Sequence, residues 1–137
     1  MDFSHFNESG RARMVNVSDK KETHRTAIAA GRVLVNRETL ELIRTGGMKK
    51  GDVLGTAQIG GIMGAKNTPH IIPMCHPIML FVVDIDFRLN DEDCSVEITA
   101  TTTCTGATGV EMEALPALSL VSMVWYVNCK RFQKCMV

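Results

Sequence analysis

The longest apolar stretch of the chain, residues 114–129, most constrains what it can fold into. Proline is tolerated in the first turn of a helix but costs about 3 kcal/mol inside one, so Pro116 predicts a helix that starts near Ala114 or Leu115 and ends near Cys135. Residues 114–129 are apolar almost all round such a helix, which indicates burial on more than one side. A small sheet covers one side only, so we expect association between subunits to cover the other.

Two strand-like segments precede this helix. Leu80–Leu89 and Ser95–Thr103 flank the turn residues 90–93, and in the second segment Val96 and Ile98 alternate with polar residues. Alternation with a period of two is typical of a strand with one buried face and one solvated face. The pattern predicts a β-hairpin.

The first half of the chain predicts a strand, two helices and a loop. Thr26–Val35 is rich in Ala, Ile and Val, and Arg37–Arg44 spaces apolar residues as in a helix. Asp52 is a candidate cap for a glycine-rich helix that runs to about Lys66. Three prolines then predict an irregular loop over Asn67–Met79. Together with the hairpin, this order of elements predicts an α+β two-layer domain.

Charge and composition exclude several classes of protein. Fifteen basic and fifteen acidic residues cancel, so the chain lacks the positive field of a nucleic-acid-binding protein. The five cysteines are odd in number and never spaced as C-x-x-C, which predicts neither a disulfide framework nor a zinc ribbon. The polar start has no signal-peptide pattern, and the apolar stretch is shorter than the roughly 20 residues that span a bilayer. We expect a cytoplasmic protein without membrane contact.

Reactive side chains gather in four segments: Lys49-Lys50, Met74-Cys75-His76-Pro77, Glu111-Met112-Glu113, and Lys130 with Lys134. Each has a structural alternative. The lysines and glutamates also suit solvated loops and helix ends, and a Cys-His pair can be structural or bind a metal. Because the predicted helix starts after Glu113, an extended lead-in would let Glu111 and Glu113 converge on one side.

The length of the helix places a limit on any shared site. Glu113 and Lys130 are 17 positions apart, and a rise of about 1.5 Å per residue separates them by roughly 25 Å. One small substrate cannot contact both within one chain. If both serve one site, they must come from different subunits.

Several motifs resemble those of the molybdenum cofactor biosynthesis protein C family. The two most distinctive are Ile72–Leu80 (IPMCHPIML) and Thr105–Leu115 (TGATGVEMEAL). Further matches are Met14–Ser18, Lys50–Val53, and Cys129-Lys130 with Gln133-Lys134. The resemblance covers about residues 12–137.

The resemblance implies a ferredoxin-like two-layer sandwich, with helices packed on one face of an antiparallel sheet. It also implies a hexamer built from dimers, with active sites between subunits. The implied reaction is that of a lyase, cyclic pyranopterin monophosphate synthase, which converts 3′,8-cyclo-7,8-dihydroguanosine triphosphate to cyclic pyranopterin monophosphate and releases pyrophosphate. It implies no redox cofactor and no metal. Residues 1–12 are expected to form a flexible arm, and residues 13–137 a single domain without the glycine- and lysine-containing tail of the family.

The resemblance also assigns roles to residues. It assigns substrate contacts to Met74, Cys75, His76, Met112, Glu113 and Lys134. Glu111 is expected to support these residues, and Arg25 is expected to bind phosphate. Lys50 and Lys130 match lysines implicated in catalysis, while Val127 stands where the family has a catalytic aspartate. Two alternatives stay open: a binding subunit without turnover, because valine transfers no proton, and a metal or thiol module built on Cys75 and His76.

Overall fold

In a computed structural model of the chain, residues 5–48 and 51–136 are described. They form six elements: β1 (Thr23–Leu34), α1 (Arg37–Arg44), α2 (Val53–Ile71), β2 (Leu80–Asn90), β3 (Ser95–Gly106) and α3 (Glu111–Cys129). The α+β architecture is confirmed, and the first strand begins three residues before the predicted start at Thr26.

The strands form one antiparallel sheet in the order β1-β3-β2. Ala29, Ala100 and Ile85 lie opposite one another across it and are buried under the helices. On the other face, Asp84 and Asp86 are exposed. The predicted hairpin with one solvated face is confirmed, and the arrangement is consistent with a ferredoxin-like sandwich.

Helix α1 forms as its sequence predicts. The side chain of Asn36 accepts a hydrogen bond of 2.7 Å from the amide of Thr39, which satisfies one of the unpaired donors at the helix start. Leu40 and Ile43, three positions apart, both enter the core. The short helix is therefore held by a cap and by two buried side chains.

Helices α2 and α3 pack antiparallel at close range because glycines line the contact. A Cβ atom on Gly64 would lie 2.8 Å from the backbone oxygen of Pro116 and 2.9 Å from a methyl group of Leu120. Gly60 faces Val124 in the same way, further along α3. Residues near the end of α2 therefore meet the start of α3.

The prediction that α2 ends near Lys66 and gives way to a loop at Asn67 is wrong, because the helix runs on to Ile71. Pro69 lies within its last turn. Thr68 is fully buried, and its hydroxyl donates to the carbonyl of Gly64 at 3.1 Å. Packing against α3 thus outweighs the cost of the proline, and the irregular loop begins only at Ile72.

The predicted bounds of α3 are also wrong. The helix starts at Glu111 and ends at Cys129, so Pro116 lies inside it. Proline provides no N–H for the carbonyl of Met112, and the hydroxyl of Thr68 lies 3.5 Å from that oxygen instead. At the other end, the amides of Phe132 and Gln133 both bond to the carbonyl of Cys129 and turn the chain.

One side of α3 is buried and the opposite side is apolar but exposed. Val121 and Trp125 lie in the core, whereas Leu115 is 50%, Met123 60% and Val127 50% exposed. These three positions follow helical spacing along one stripe. Extended apolar stripes on a surface mark contacts with other molecules. Among the described residues no helix has the length and apolarity needed to cross a bilayer.

The close packing of the two helices can be tested with Gly64→Ala. Alanine favours a helix over glycine by about 1 kcal/mol, but overpacking costs about 1–3 kcal/mol. We expect a net loss of about 1 kcal/mol in the free energy of unfolding, measured by denaturant titration. Gly106→Ala, at a position with no atom within 4 Å of the added Cβ, is the control. A more stable Gly64→Ala protein would contradict the close contact.

Candidate active site

A cavity of about 490 Å³ lies where α2 ends and α3 begins. Its walls are the loop 72–78, residues 108–113 and an amino-terminal segment within residues 5–20. Six of the predicted site residues line it: Met74, Cys75, His76, Glu111, Met112 and Glu113. This volume is within the range of small-molecule sites. The two motifs that are far apart in the sequence therefore meet in one pocket.

Glu113 is the most unusual group in the cavity. Its side chain is only 2% exposed, and neither carboxylate oxygen has a hydrogen-bond partner among the described residues. Burial raises the pKa of Glu113, and the nearby charge of Glu111 acts in the same direction. A carboxyl group in this setting holds its proton to a higher pH than an exposed glutamate does.

The predicted extended lead-in for Glu111 and Glu113 is wrong, because both residues lie in the first turn of α3. Two positions apart on a helix, they point in different directions, and only Glu113 is buried. Both still border the cavity, since it lies at the helix start. The result is one buried carboxyl group beside one exposed carboxylate.

Cys75 and His76 lie in the loop that follows α2. Burial raises the pKa of the Cys75 thiol, and the neighbouring Glu113 raises it further, so the group favours the thiol over the nucleophilic thiolate. Nε2 of His76 lies 2.8 Å from the carbonyl oxygen of Val15. Since a carbonyl only accepts, Nε2 is the donor in this contact.

Arg25 is near the cavity without lining it. Its Nε donates a hydrogen bond of 3.0 Å to the carbonyl of Gly106, which joins the start of β1 to the end of β3. The chain from Gly106 leads directly into Thr108 and Gly109 of the cavity wall. Arg25 therefore holds the strand end that carries part of the wall.

The other predicted groups lie at the opposite end of α3. Val127, Lys130 and Lys134 line a shallow depression together with Tyr126 and Arg131. Since α3 is a continuous helix of 19 residues, the depression is roughly 25 Å from Glu113. The structure does not bring these residues to the cavity within one chain. Lys50 lies outside the described residues.

The sequence analysis missed the amino-terminal wall of the cavity. His5, Val15, Val17 and Lys20 all line it, although none was among the predicted site residues. A signal was present, since the segment Met14–Ser18 was among the motifs that carried the family resemblance. The residue pattern of this segment, taken without the resemblance, did not indicate a binding or catalytic role.

In the described part of the chain, no group of three or more His, Cys, Asp or Glu side chains is placed to hold a metal ion. None of the five cysteines forms a disulfide with another described residue, and Cys104 and Cys129 are fully buried. Burial raises the pKa of Cys104 as well.

Comparison with known proteins shows the family of the chain. The profile of the MoaC family matches residues 14–137. The chain is 54% identical over its whole length to a protein of Peptoclostridium acidaminophilum named cyclic pyranopterin monophosphate synthase, of which it covers 86%. It is 52% identical to a protein of that name from Thermoanaerobacter sp. (strain X514), covering all of the chain and 87% of the relative. A third, from Natranaerobius thermophilus, is 43% identical over 98% of the chain and 85% of its own length. The chain belongs to the MoaC family.

Proposed function

We propose that this chain is a cyclic pyranopterin monophosphate synthase of molybdenum cofactor biosynthesis, acting on 3′,8-cyclo-7,8-dihydroguanosine triphosphate in the cytoplasm. The observation that carries the proposal is the meeting of both distinctive family motifs in one cavity around the buried Glu113. The relatives that share about half of the sequence bear this name. Residues 13–137 are proposed as the catalytic domain, in agreement with the match over residues 14–137.

The chemistry requires two kinds of group. Opening and rebuilding the purine-derived rings needs proton donors and acceptors, and loss of pyrophosphate needs cations that stabilise the leaving group. The cavity supplies Glu113, a carboxyl group whose pKa is raised by burial, and Glu111, which is exposed. The depression at the far end of α3 supplies Lys130, Arg131 and Lys134.

These two sets of groups can serve one substrate if two copies of the chain associate. A single copy holds them roughly 25 Å apart. The exposed apolar stripe of α3, with Leu115, Met123 and Val127, runs between the two ends and provides a surface for association. We infer that the cavity of one subunit is completed by the lysines of a neighbour, in a hexamer built from such dimers.

A binding subunit without turnover is the alternative, and it is motivated by Val127. This residue lies in the lysine depression, three positions before Lys130 on the helix. Valine cannot transfer a proton, so the acid–base work there falls to Lys130 itself. The relatives named as synthases favour turnover.

The assignment is tested by pyrophosphate release and pterin formation from the cyclised GTP substrate, with Glu113→Gln as the key variant. Removing a proton-transfer group typically costs 10²–10⁴-fold, so we expect kcat to fall by about 10²-fold. The parent chain should turn over the substrate. Absence of turnover by the parent, at saturating substrate, would overturn the assignment.

Stability of the same variant shows whether it remains folded. The raised pKa of Glu113 means that the folded state holds this proton more tightly, so stability falls as pH rises from about 4.3 through the folded pKa. Glutamine does not ionise and avoids that loss. The melting temperature of Glu113→Gln at pH 7 should equal or exceed that of the parent.

The shared site is tested by mixing two impaired variants, Glu113→Gln and Lys130→Ala. Each alone lacks one group at every site. In a mixed dimer one site receives Glu113 from one subunit and Lys130 from the other, so co-refolding should restore part of the activity. No recovery from mixed oligomers, whose formation is verified by tags of different mass, would show that Glu113 and Lys130 of different subunits do not share a site.

The role of position 127 is tested by Val127→Asp. A carboxylate three residues before Lys130 lies on the same helical face and adds a proton-transfer group, so kcat should rise by about tenfold or more. Val127→Asn, of similar size but without an ionisable proton, is the matched control. Equal rates in the two variants would show that no acid is needed here. Turnover confined to Val127→Asp would identify the parent as a binding subunit.

A further inference from the structure

The walls of the cavity contribute more acid than base, apart from the amino-terminal segment. Glu111 and Glu113 both face it, and the loop after α2 adds Cys75 and His76. Among the residues that the structure describes, the remaining ionisable groups on the walls are His5 and Lys20, and both belong to residues 5–20. Within one chain, the positive charge available to an anionic substrate therefore lies on the amino-terminal wall of the cavity.

A hairpin defines the position of His5. The amide of Arg13 donates to the carbonyl of His5 at 2.9 Å, and Phe6 and Ala12 form a β-bridge between the two arms. At the turn, Oδ1 of Asn7 accepts hydrogen bonds from the amides of Ser9 at 3.1 Å and Arg11 at 2.9 Å. The stretch from His5 to Arg13 thus has its own network of hydrogen bonds.

The chain between this hairpin and Lys20 is joined to the cavity itself. Val15 accepts the hydrogen bond of 2.8 Å from His76, and Val15 and Val17 are half-buried and line the same cavity. Lys20 follows after a turn in which its amide donates to the carbonyl of Val17 at 3.1 Å. Its ammonium group lies on an exposed residue beside the cavity, where it can meet a phosphate without being desolvated.

We propose that residues 5–20 form a binding strap for the substrate, in which Lys20 binds the phosphate chain and His5 contributes a second polar contact. The proposal rests on the proposed function for the identity of the substrate, but its charge argument applies to any nucleoside triphosphate. An ammonium group binds phosphate as a point charge with three donors. Lys20 is therefore an intrachain cation that acts alongside the lysines of the neighbouring subunit.

The test compares Lys20→Ala with Lys21→Ala. Both remove one positive charge from adjacent exposed positions, but only Lys20 lines the cavity. Calorimetric titration with GTP should give a dissociation constant about tenfold higher for Lys20→Ala than for the parent, since a charge-assisted contact to phosphate is lost. Lys21→Ala should bind like the parent. With the cyclised substrate, Lys20→Ala should raise KM by a similar factor.

His5 is tested in the same titration with His5→Ala, and Arg11→Ala is the control because it removes a cation from the same hairpin outside the cavity. We expect GTP to bind more weakly to the His5→Ala variant than to the parent, and to bind equally well to Arg11→Ala and the parent. Equal affinities in Lys20→Ala and Lys21→Ala, or no GTP binding by the parent, would overturn the strap. If the parent binds GTP through Lys20 but never turns over the cyclised substrate, the strap stands and the proposed function fails.

Discussion

The contact between α2 and α3 determines where the site forms. Gly60, Gly61 and Gly64 let the two helices approach so closely that a Cβ atom on Gly64 would lie 2.8 Å from a backbone oxygen of α3. The helices run antiparallel, so the end of one meets the start of the other. The loop with Cys75 and His76 leaves α2 at the point where Glu113 enters α3. The reactive groups therefore lie in a cavity between the loop that leaves α2 and the start of α3, rather than on a single loop.

The same contact explains how a carboxyl group comes to be buried. Glu113 lies in the first turn of α3 and is only 2% exposed, near Cys104 of β3 and Cys75 of the loop after α2. Burial without a hydrogen-bond partner is unfavourable for a carboxylate and favours the protonated acid. The stability lost as pH rises is the physical cost of burying a carboxyl group at this position.

Most of the fold could be predicted from periodicity. The hairpin alternation, the helical spacing within Arg37–Arg44 and the apolar residues 114–129 all indicated elements that the structure contains. The helix bounds predicted from the prolines were wrong, because Pro69 and Pro116 lie inside helices that tertiary packing stabilises. Thr68 shows why: its hydroxyl reaches the Met112 carbonyl that Pro116 leaves without a donor, and no local pattern reveals such a contact.

The candidate site was predictable only in part. The motifs around Cys75 and Glu113 came from the family resemblance, and the structure brings them together. The amino-terminal wall was missed because His5 and Lys20 approach the cavity through a hairpin and a single histidine contact, neither of which has a periodic signal. Chain topology, and not composition, decides which polar residues of an irregular segment face a pocket.

The separation of charge along α3 gives a chemical reason for the association that we propose between subunits. Its first turn carries two acids, while Lys130, Arg131 and Lys134 lie at or just beyond its last turn. Acids near a helix start and cations near its end are each favourable with respect to the helix dipole, so one chain stabilises both groups best when they are far apart. A triphosphate substrate needs them close together. The association proposed along the apolar stripe of α3 would meet both requirements, because it would bring the cationic end of one helix to the acidic end of another without moving either group within its own chain.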